Sequence, residues 1–217
     1  LIHSMPKFMK AVLWTAIALV AIGGILRAVL FKVWTIPGDE LLLGASVEPS
    51  LRLKDTIVVL TRGKRGFGDL VRCTDPDDST KFLIGRIIGV AGDIIELKGR
   101  RVYVNGKLYD IKQACPDQRY WFVHPNTEAE VEMQCGVVEM GGGWHYRGNE
   151  KKVGPATTFK AEVGDGMVFL LSDNIDFHDD SRDFGTLEAS SCTEKVVFRL
   201  WGEAGFKDAE RRMMFIH

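Results

Sequence analysis

The chain has 217 residues, of which 46% are apolar and 26% are charged. A chain of this composition can bury a core, which excludes global disorder. Its net charge of −1, from 28 basic and 29 acidic side chains, gives no support for nucleic-acid binding. The balance conceals two unlike parts, because residues 1–38 carry four basic side chains and no acidic one.

The first predicted element is a membrane anchor over residues 11–33. Within residues 11–31, 17 of 21 are apolar, and a helix of that length spans about 32 Å, enough to cross a hydrocarbon core of about 30 Å. A cleavable signal peptide has a shorter apolar core, and a soluble core helix keeps a polar face, so both alternatives are disfavoured. Lys7 and Lys10 predict that residues 1–10 are cytoplasmic, although Arg27 and Lys32 oppose that orientation.

The remainder is predicted to be mostly β. Apolar and β-branched runs recur, with turn signals such as Gly164-Asp165-Gly166 between them. The predicted strands are 56–61, 70–73, 82–90, 94–97, 102–104, 167–171 and 196–200. Asn105-Gly106 predicts a type I′ hairpin turn.

Residues 111–163 are more polar and contain a run of three glycines. They are predicted to be an insertion subdomain in a β core of residues 34–110 and 164–217. The four cysteines show no C-x-x-C spacing and therefore no zinc signal. In an exported domain Cys115 and Cys135 would bridge within the insertion. Cys73 and Cys192 are expected to be buried free thiols, with a pair between them left open.

Three segments carry the candidate chemistry: residues 44–51 just beyond the anchor, residues 84–93, and residues 172–185. The third combines many acids with one His and one Arg, and a solvated acidic loop is its plain alternative. The oxygen spacing and closing Glu of a calcium loop are missing. We therefore expect no metal and no other cofactor.

In this order behind an apolar helix, the segments resemble the type I signal peptidases (leader peptidases) of bacterial membranes. The similarity runs from about residue 12 to the C-terminus and is weakest across 111–163. The family's patterns are I-P-S-x-S-M-x-P-T-L, R-G-D, K-R-x-x-G-x-P-G-D and G-D-N-R-x-x-S-x-D-S-R-x-x-G. The corresponding residues are Ile36-Pro37, Ser46-Val47-Glu48-Pro49-Ser50-Leu51, Phe67-Gly68-Asp69, Arg86-Ile87-Ile88-Gly89-Val90-Ala91-Gly92-Asp93, Asp173-Asn174 and Asp180-Ser181-Arg182-Asp183-Phe184-Gly185.

The resemblance implies a single-pass protein of the bacterial inner membrane whose β domain lies on the periplasmic side. It implies a serine endopeptidase that removes signal peptides from exported preproteins, with Ser46 matching the nucleophile. The implied partners are signal peptides and membrane lipid, with no nucleic acid, and the oligomeric state is left open.

Further residues are implied to support the site or to bind substrate. The supporting residues are Arg86, Asp173, Asp180, Ser181 and Arg182, of which the four charged ones are expected to form a salt-bridge network. A preprotein would add as a strand beside Leu83-Ile84. Shallow apolar pockets for small side chains would come from Ile36, Val47, Leu51 and Ile84.

The chain departs from the family at the catalytic base, because Gly85 stands where the family has Lys. Lys81 lies four strand residues earlier, about 13 Å away, which is more than a Lys side chain reaches unless the strand bulges. His178 stands where the family has a Ser beside that Lys. We therefore expect His178 to use the volume left by Gly85 and to act as the base, oriented by one of the aspartates at 176, 179 and 180.

Smaller departures lie around the candidate nucleophile. Residues 39–44 lengthen the link to Ser46, and Gly44 lacks the hydroxyl that helps to bind the oxyanion in many members. Ser172 and Ile175 replace Gly and Arg. Two alternatives therefore stay open: a catalytically inactive, membrane-tethered binding or regulatory protein, and a specialised peptidase for one dedicated substrate.

Overall fold

The computed structural model describes residues 6–151 and 157–217, and its first element is one long helix, α1 (Lys7–Leu30). The segment Lys7–Arg27 has a mean hydropathy of 2.0, and none of it is buried against the rest of the protein. A helix of 24 residues measures about 36 Å, more than the hydrocarbon thickness of a bilayer. By length and composition α1 is able to cross a membrane, although it ends three residues before the predicted limit.

The rest of the chain is mostly β, as predicted. The strands are β1 (Phe31–Thr35), β2 (Thr56–Leu60), β3 (Leu70–Thr74), β4 (Phe82–Val90), β5 (Ile94–Lys98), β6 (Arg101–Val104), β7 (Lys107–Tyr109), β8 (Ile111–Val123), β9 (Glu130–Met140), β10 (Gly143–Glu150), β11 (Thr158–Glu162), β12 (Met167–Leu171), β13 (Leu187–Glu188), β14 (Glu194–Trp201) and β15 (Met214–Phe215). Two short helices, α2 (Leu41–Val47) and α3 (Ser181–Phe184), interrupt them. All seven predicted strands are present.

The strands form three sheets. The largest has the order β1-β2-β14-β3-β4-β12-β13, with β15 paired to β14. A second sheet has the order β11-β5-β6-β7, and a third has the order β10-β9-β8. The hairpin between β6 and β7 turns at Asn105 and Gly106, whose φ angles of 50° and 78° are the positive values that a type I′ turn requires.

The predicted insertion contributes to two of these sheets. Its residues 111–150 form the third sheet, whereas β11 pairs with β5 along its whole length. The edge strand β10 also reaches the main sheet's loops through a bridge between Gly148 and Asn174. The division into a core and an insertion stays a prediction, but the third sheet is the part that contacts the candidate site.

Two disulfides cross-link the domain beyond α1. Cys115 and Cys135 join β8 to β9, as expected. Cys73 and Cys192 are also joined, with Cα atoms 4.0 Å apart, so the expectation of free thiols was wrong. The cause is strand pairing, because Cys73 lies on β3, and β3 pairs with the start of β14 only two residues after Cys192. A separation of 119 residues hides this proximity in the sequence.

Candidate active site

Ser46 lies near the end of α2, a helix formed largely by the residues predicted to lengthen a linker. The residue is 1% exposed, and its Oγ donates a hydrogen bond to the carbonyl of Leu43, 2.9 Å away. Leu43 and Val47 anchor the helix in an apolar cluster with Ile84 of β4. The short helix thus brings Ser46 beside β4.

The loop after β12 holds the backbone around Ser46. The amide of Asn174 donates to the Ser46 carbonyl at 3.0 Å, and its side-chain amide donates to the carbonyl of Ala45 at 3.0 Å. Asn174 is completely buried. The third sequence segment is therefore fixed directly to the segment that carries the candidate nucleophile.

The residue before Asn174 forms the predicted ion pair with β4. Arg86 binds both carboxylate oxygens of Asp173, at 2.8 and 2.9 Å, and both side chains are almost fully buried. The hydroxyl of Ser50 donates to the same carboxylate at 2.5 Å. This geometry links the segments that begin at Gly44, Ile84 and Ser172 through a single buried carboxylate.

The second predicted ion pair caps α3. Asp180 accepts from the guanidinium of Arg182 and from the amide of Ser172. Burial alone would raise the pKa of Asp180, but these donors outweigh it and hold the pKa below its ordinary value. Ser181 accepts from the amide of Leu170, which ties α3 to β12. These contacts give Asp180, Ser181 and Arg182 a structural role.

His178 is paired, but with a different aspartate from those expected. Its Nδ1 lies 2.7 Å from a carboxylate oxygen of Asp183, and its side chain is 30% exposed. Asp180 accepts a hydrogen bond from Arg182, and Asp176 accepts from Arg100 and from the amide of Glu150. In the part of the chain that the structure describes, no hydrogen bond joins His178 to Ser46.

The space at Gly85 is filled, so the expectation that it would receive His178 was wrong. A Cβ added at Gly85 would lie 3.0 Å from the Cβ of Leu170. The other possible base, Lys81, is exposed and pairs with Glu40 at 3.3 Å. Its hydrogen bond to Glu40 raises the pKa of Lys81, which favours the charged form and opposes a role as a base.

The predicted substrate-binding residues lie in the apolar core. Ile36, Val47, Leu51 and Ile84 share one cluster, and Leu83 belongs to another. All are at most 2% exposed. The backbone of β4 is more open, since β12 pairs only with residues 86–90 of that strand. The edge beside Leu83 and Ile84 therefore lacks a strand partner on that side within residues 6–151 and 157–217.

Two basic residues of β10 also lie near the site, and no motif in the sequence predicted them. His145 Nε2 lies 4.0 Å from the Asp173 carboxylate. Burial, together with the cations Arg86 and Arg147, holds the pKa of His145 well below its ordinary value, so the imidazole is neutral. Arg147 is also buried, and burial lowers its pKa to about 10. The alternation Trp144-His145-Tyr146-Arg147 was the available signal for a strand with one polar face.

One group of side chains has the composition of a metal site. His178, Asp180 and Asp183 each place one potential ligand atom within 4.8 Å of the others. Asp180 already binds Arg182 and Asp183 already binds His178. These protein contacts account for the cluster.

The structure combines a helix long and apolar enough to cross a membrane with a β domain in which a buried serine lies next to an Arg–Asp pair. The sequence model of the family described as "Signal peptidase, peptidase S26" matches residues 8–201. The chain belongs to this family, and a signal-peptide-removing peptidase is the function that membership supports.

Two relatives and one solved structure are similar to this chain. A signal peptidase IB of Staphylococcus aureus (strain Mu50) is 28% identical over 170 residues, covering 76% of this chain and 78% of that one. A signal peptidase I of Streptococcus pneumoniae serotype 4 is 26% identical over 169 residues, covering 73% and 79%. A crystal structure of a signal peptidase I from Enterococcus faecalis V583 has 22% identity and a TM-score of 0.37, covering 60% of this chain and 94% of that one.

Proposed function

We propose that the protein is a membrane-anchored serine endopeptidase that removes signal peptides from exported preproteins, with Ser46 as the nucleophile and His178 as the base. The observation that carries the proposal is the attachment of Ser46, through Asn174, to the buried Arg86–Asp173 pair. Motif residues that lie far apart in the sequence converge at this point, behind an apolar helix long enough to anchor them.

The base is proposed from the His178–Asp183 pair. When Nδ1 carries the proton and donates it to Asp183, Nε2 is left as the acceptor that a general base needs. His178 would take the proton of Ser46 Oγ as it attacks the scissile carbonyl, and would then return it to the leaving amine. The carboxylate would stabilise the imidazolium that forms between these two steps.

Ser46 must first change its hydrogen bond. Its hydroxyl now donates to Leu43, so the proton has to turn away from α2 before His178 can accept it. Catalytic hydrogen bonds are often long or misaligned without substrate and tighten in the complex. We propose that an extended preprotein segment beside Leu83 and Ile84 brings about this change.

The proposed location is the outer side of the bacterial inner membrane. Lys7 and Lys10 lie in the first turn of α1, which favours a cytoplasmic N-terminus. Both disulfides lie in the domain beyond α1, and disulfides persist in oxidising compartments. The two observations favour the same orientation, with the β domain outside the cytoplasm.

The proposal is tested with the full-length protein in detergent and a preprotein substrate. We expect Ser46→Ala to lower the rate at least ~10³-fold and His178→Ala to lower it ~10²–10⁴-fold, as removal of a nucleophile and of a general base would. Ser190→Ala, an exposed serine, is the matched control and should leave the rate unchanged. Full activity in His178→Ala would overturn His178 as the base, and full activity in Ser46→Ala would overturn the nucleophile.

A second function is favoured by one observation. The Ser46 hydroxyl is buried and bonded to its own helix, and Gly85 supplies no base. A catalytically inactive protein that binds signal peptides at the membrane would have this geometry. A serine-directed covalent probe separates the two functions, because labelling at Ser46 requires an activated hydroxyl. A screen of several preproteins would then distinguish a general enzyme from one with a single dedicated substrate.

A further inference from the structure

A basic loop follows β2 and lies against the end of α1. This 61–66 loop has the sequence Thr61-Arg62-Gly63-Lys64-Arg65-Gly66, with three basic side chains and no acidic one. The amide of Thr61 donates to the carbonyl of Leu30 at 2.8 Å, and its hydroxyl donates to the carbonyl of Val29 at 3.0 Å. The loop is therefore attached to the last turn of α1.

This attachment places the loop at the depth of the lipid headgroups when α1 crosses a bilayer. The apolar segment Lys7–Arg27 has 21 residues, and its helical length of about 32 Å matches the hydrocarbon core. Leu30 lies about 5 Å further along the helix axis, inside a headgroup layer about 5–7 Å thick. Strand β2 pairs antiparallel with β1, so Leu60 is at the end of β2 nearest to α1.

Arg65 fixes the shape of the loop. Its guanidinium donates to the carbonyls of Arg62 and Gly63 within the loop, at 3.0 Å each. It also donates to the carbonyl of Leu60 on β2 and to that of Thr193, one residue before β14. These bonds hold Arg65 inside the fold and make the loop a fixed part of the main sheet.

Arg62 and Lys64 carry the charge that faces outward. Both are exposed, and among residues 6–151 and 157–217 neither side chain has a hydrogen bond or an ion pair. The acidic groups whose charges reach Arg65 are Asp69 and Glu194. Each of these already pairs with a Lys or Arg side chain outside the loop. The loop therefore presents two positive charges that the described part of the protein leaves uncompensated.

The phosphate of a lipid headgroup matches these charges in sign and in depth. Arg binds phosphate oxygens through parallel N–H groups, and Lys binds them as a point charge. Arg27, exposed in the last turn of α1, adds a third cation at the same level. A zwitterionic headgroup brings its own ammonium group to the loop, whereas the phosphate of an anionic headgroup is uncompensated. The charges therefore favour anionic phospholipids.

We propose that the 61–66 loop binds the phosphate groups of anionic phospholipids, through Arg62 and Lys64. A single helix would leave the β domain free to rotate about the helix axis, and this second contact fixes the main sheet against the membrane surface. The proposal rests on the part of the proposed function that places α1 across the membrane. It does not depend on peptide cleavage.

The experiment titrates full-length protein in nonionic detergent micelles with phosphatidylglycerol that carries a fluorescent acyl chain. Energy transfer from the tryptophans reports binding, and phosphatidylcholine with the same acyl chain is titrated in parallel. We expect the wild type to be half-saturated at a lower mole fraction of phosphatidylglycerol than of phosphatidylcholine. The double variant Arg62→Gln/Lys64→Gln should raise that value about 5- to 25-fold for phosphatidylglycerol, at about fivefold for each basic side chain.

The same variant should leave phosphatidylcholine binding unchanged, which shows that it is folded. The matched control is Lys112→Gln/Lys207→Gln, because both lysines are exposed and the loss of charge is equal. Lys207 follows β14 beyond Trp201, which pairs with Thr56 at the end of β2 remote from the loop. The control should bind phosphatidylglycerol as the wild type does.

Several results would overturn the lipid assignment. These are a wild type without preference for phosphatidylglycerol, a loop variant that keeps the preference, or a control variant that is weakened equally. Free glycerol phosphate, at the concentration of the labelled lipid, should not compete, and competition would show that the loop binds a soluble phosphate instead. The titration contains no preprotein, so if the preference is found but no preprotein is cleaved, the proposed reaction fails and the loop assignment stands.

Discussion

At the scale of single residues, the packing next to Gly85 determines whether a lysine could be accommodated at position 85. Leu170 fills the space that a side chain at position 85 would need. We predict that Gly85→Lys will not restore the family's base. It would force a charged side chain into an apolar cluster and destabilise the protein by several kcal/mol.

The smaller variant Gly85→Ala tests the same contact. It should cost ~1–3 kcal/mol through overpacking. It should cost much less in a Leu170→Ala background, where the opposing side chain is gone. Urea unfolding of the four variants in detergent measures the coupling. A stable Gly85→Lys protein with increased peptidase activity would contradict this account.

The motifs predicted some contacts of the site and not others. The Arg86–Asp173 and Asp180–Arg182 pairs followed from charged positions in segments that resemble the family's patterns. The partner of His178 was not predictable from the motifs, because three other aspartates lie within two residues of it. Asp183 is farther along the chain and is brought close to His178 by the turn of α3. No role for His145 was predicted, because its contact with Asp173 depends on where β10 lies in the fold.

At the scale of elements, β10 connects the third sheet to the candidate nucleophile. Gly148 donates its amide to the carbonyl of Asp173 and accepts from the amide of Ile175, so it flanks Asn174. We predict that Gly148→Ala, whose Cβ would displace the Tyr120 hydroxyl, lowers stability by ~1–3 kcal/mol and activity about tenfold.

Gly66→Ala is the matched control for this substitution, since no heavy atom lies within 4 Å of the added Cβ and the φ angle is not positive. It should match the wild type in thermal unfolding and in the cleavage rate. A Gly148→Ala protein with full activity would show that β10 is not needed to position Ser46.

Elements with a local signal were predictable, and those that depend on distant partners were not. The seven strands and the Asn105-Gly106 turn arise from alternation and turn chemistry within a few residues. Helix α2 is too short to show a helical period, and its apolar side is explained only by the cluster with Ile84. The Cys73–Cys192 bond likewise requires the pairing of β3 with β14.

At the scale of the whole molecule, the near-neutral charge divides between a basic N-terminal part and an acidic domain. Residues 1–38 carry four basic side chains, and all 29 acidic side chains lie beyond them. The apolar surface of α1 is not buried against the rest of the protein over Lys7–Arg27. A soluble monomer rarely exposes an apolar surface of this kind, whereas a bilayer would cover it.

The orientation of that helix can be tested because all four cysteines are paired. A single cysteine introduced at an exposed position is then the one reactive thiol. We predict that Asp165→Cys, in an exposed turn of the β domain, is labelled by a membrane-impermeant maleimide in intact spheroplasts. Lys7→Cys, at the first residue of α1, should be labelled only after the membrane is permeabilised.

The wild-type protein provides the control, since it should be labelled only after it has been denatured and reduced. Labelling of Lys7→Cys in intact spheroplasts would invert the topology and place Ser46 in the cytoplasm. Labelling of the denatured but unreduced wild type would show unpaired thiols. The oxidising compartment and the outward orientation predict the same pattern for independent reasons, because one depends on the disulfides and the other on the basic residues in the first turn of α1. Agreement of both would place Ser46 on the membrane face where a signal peptide's cleavage site emerges.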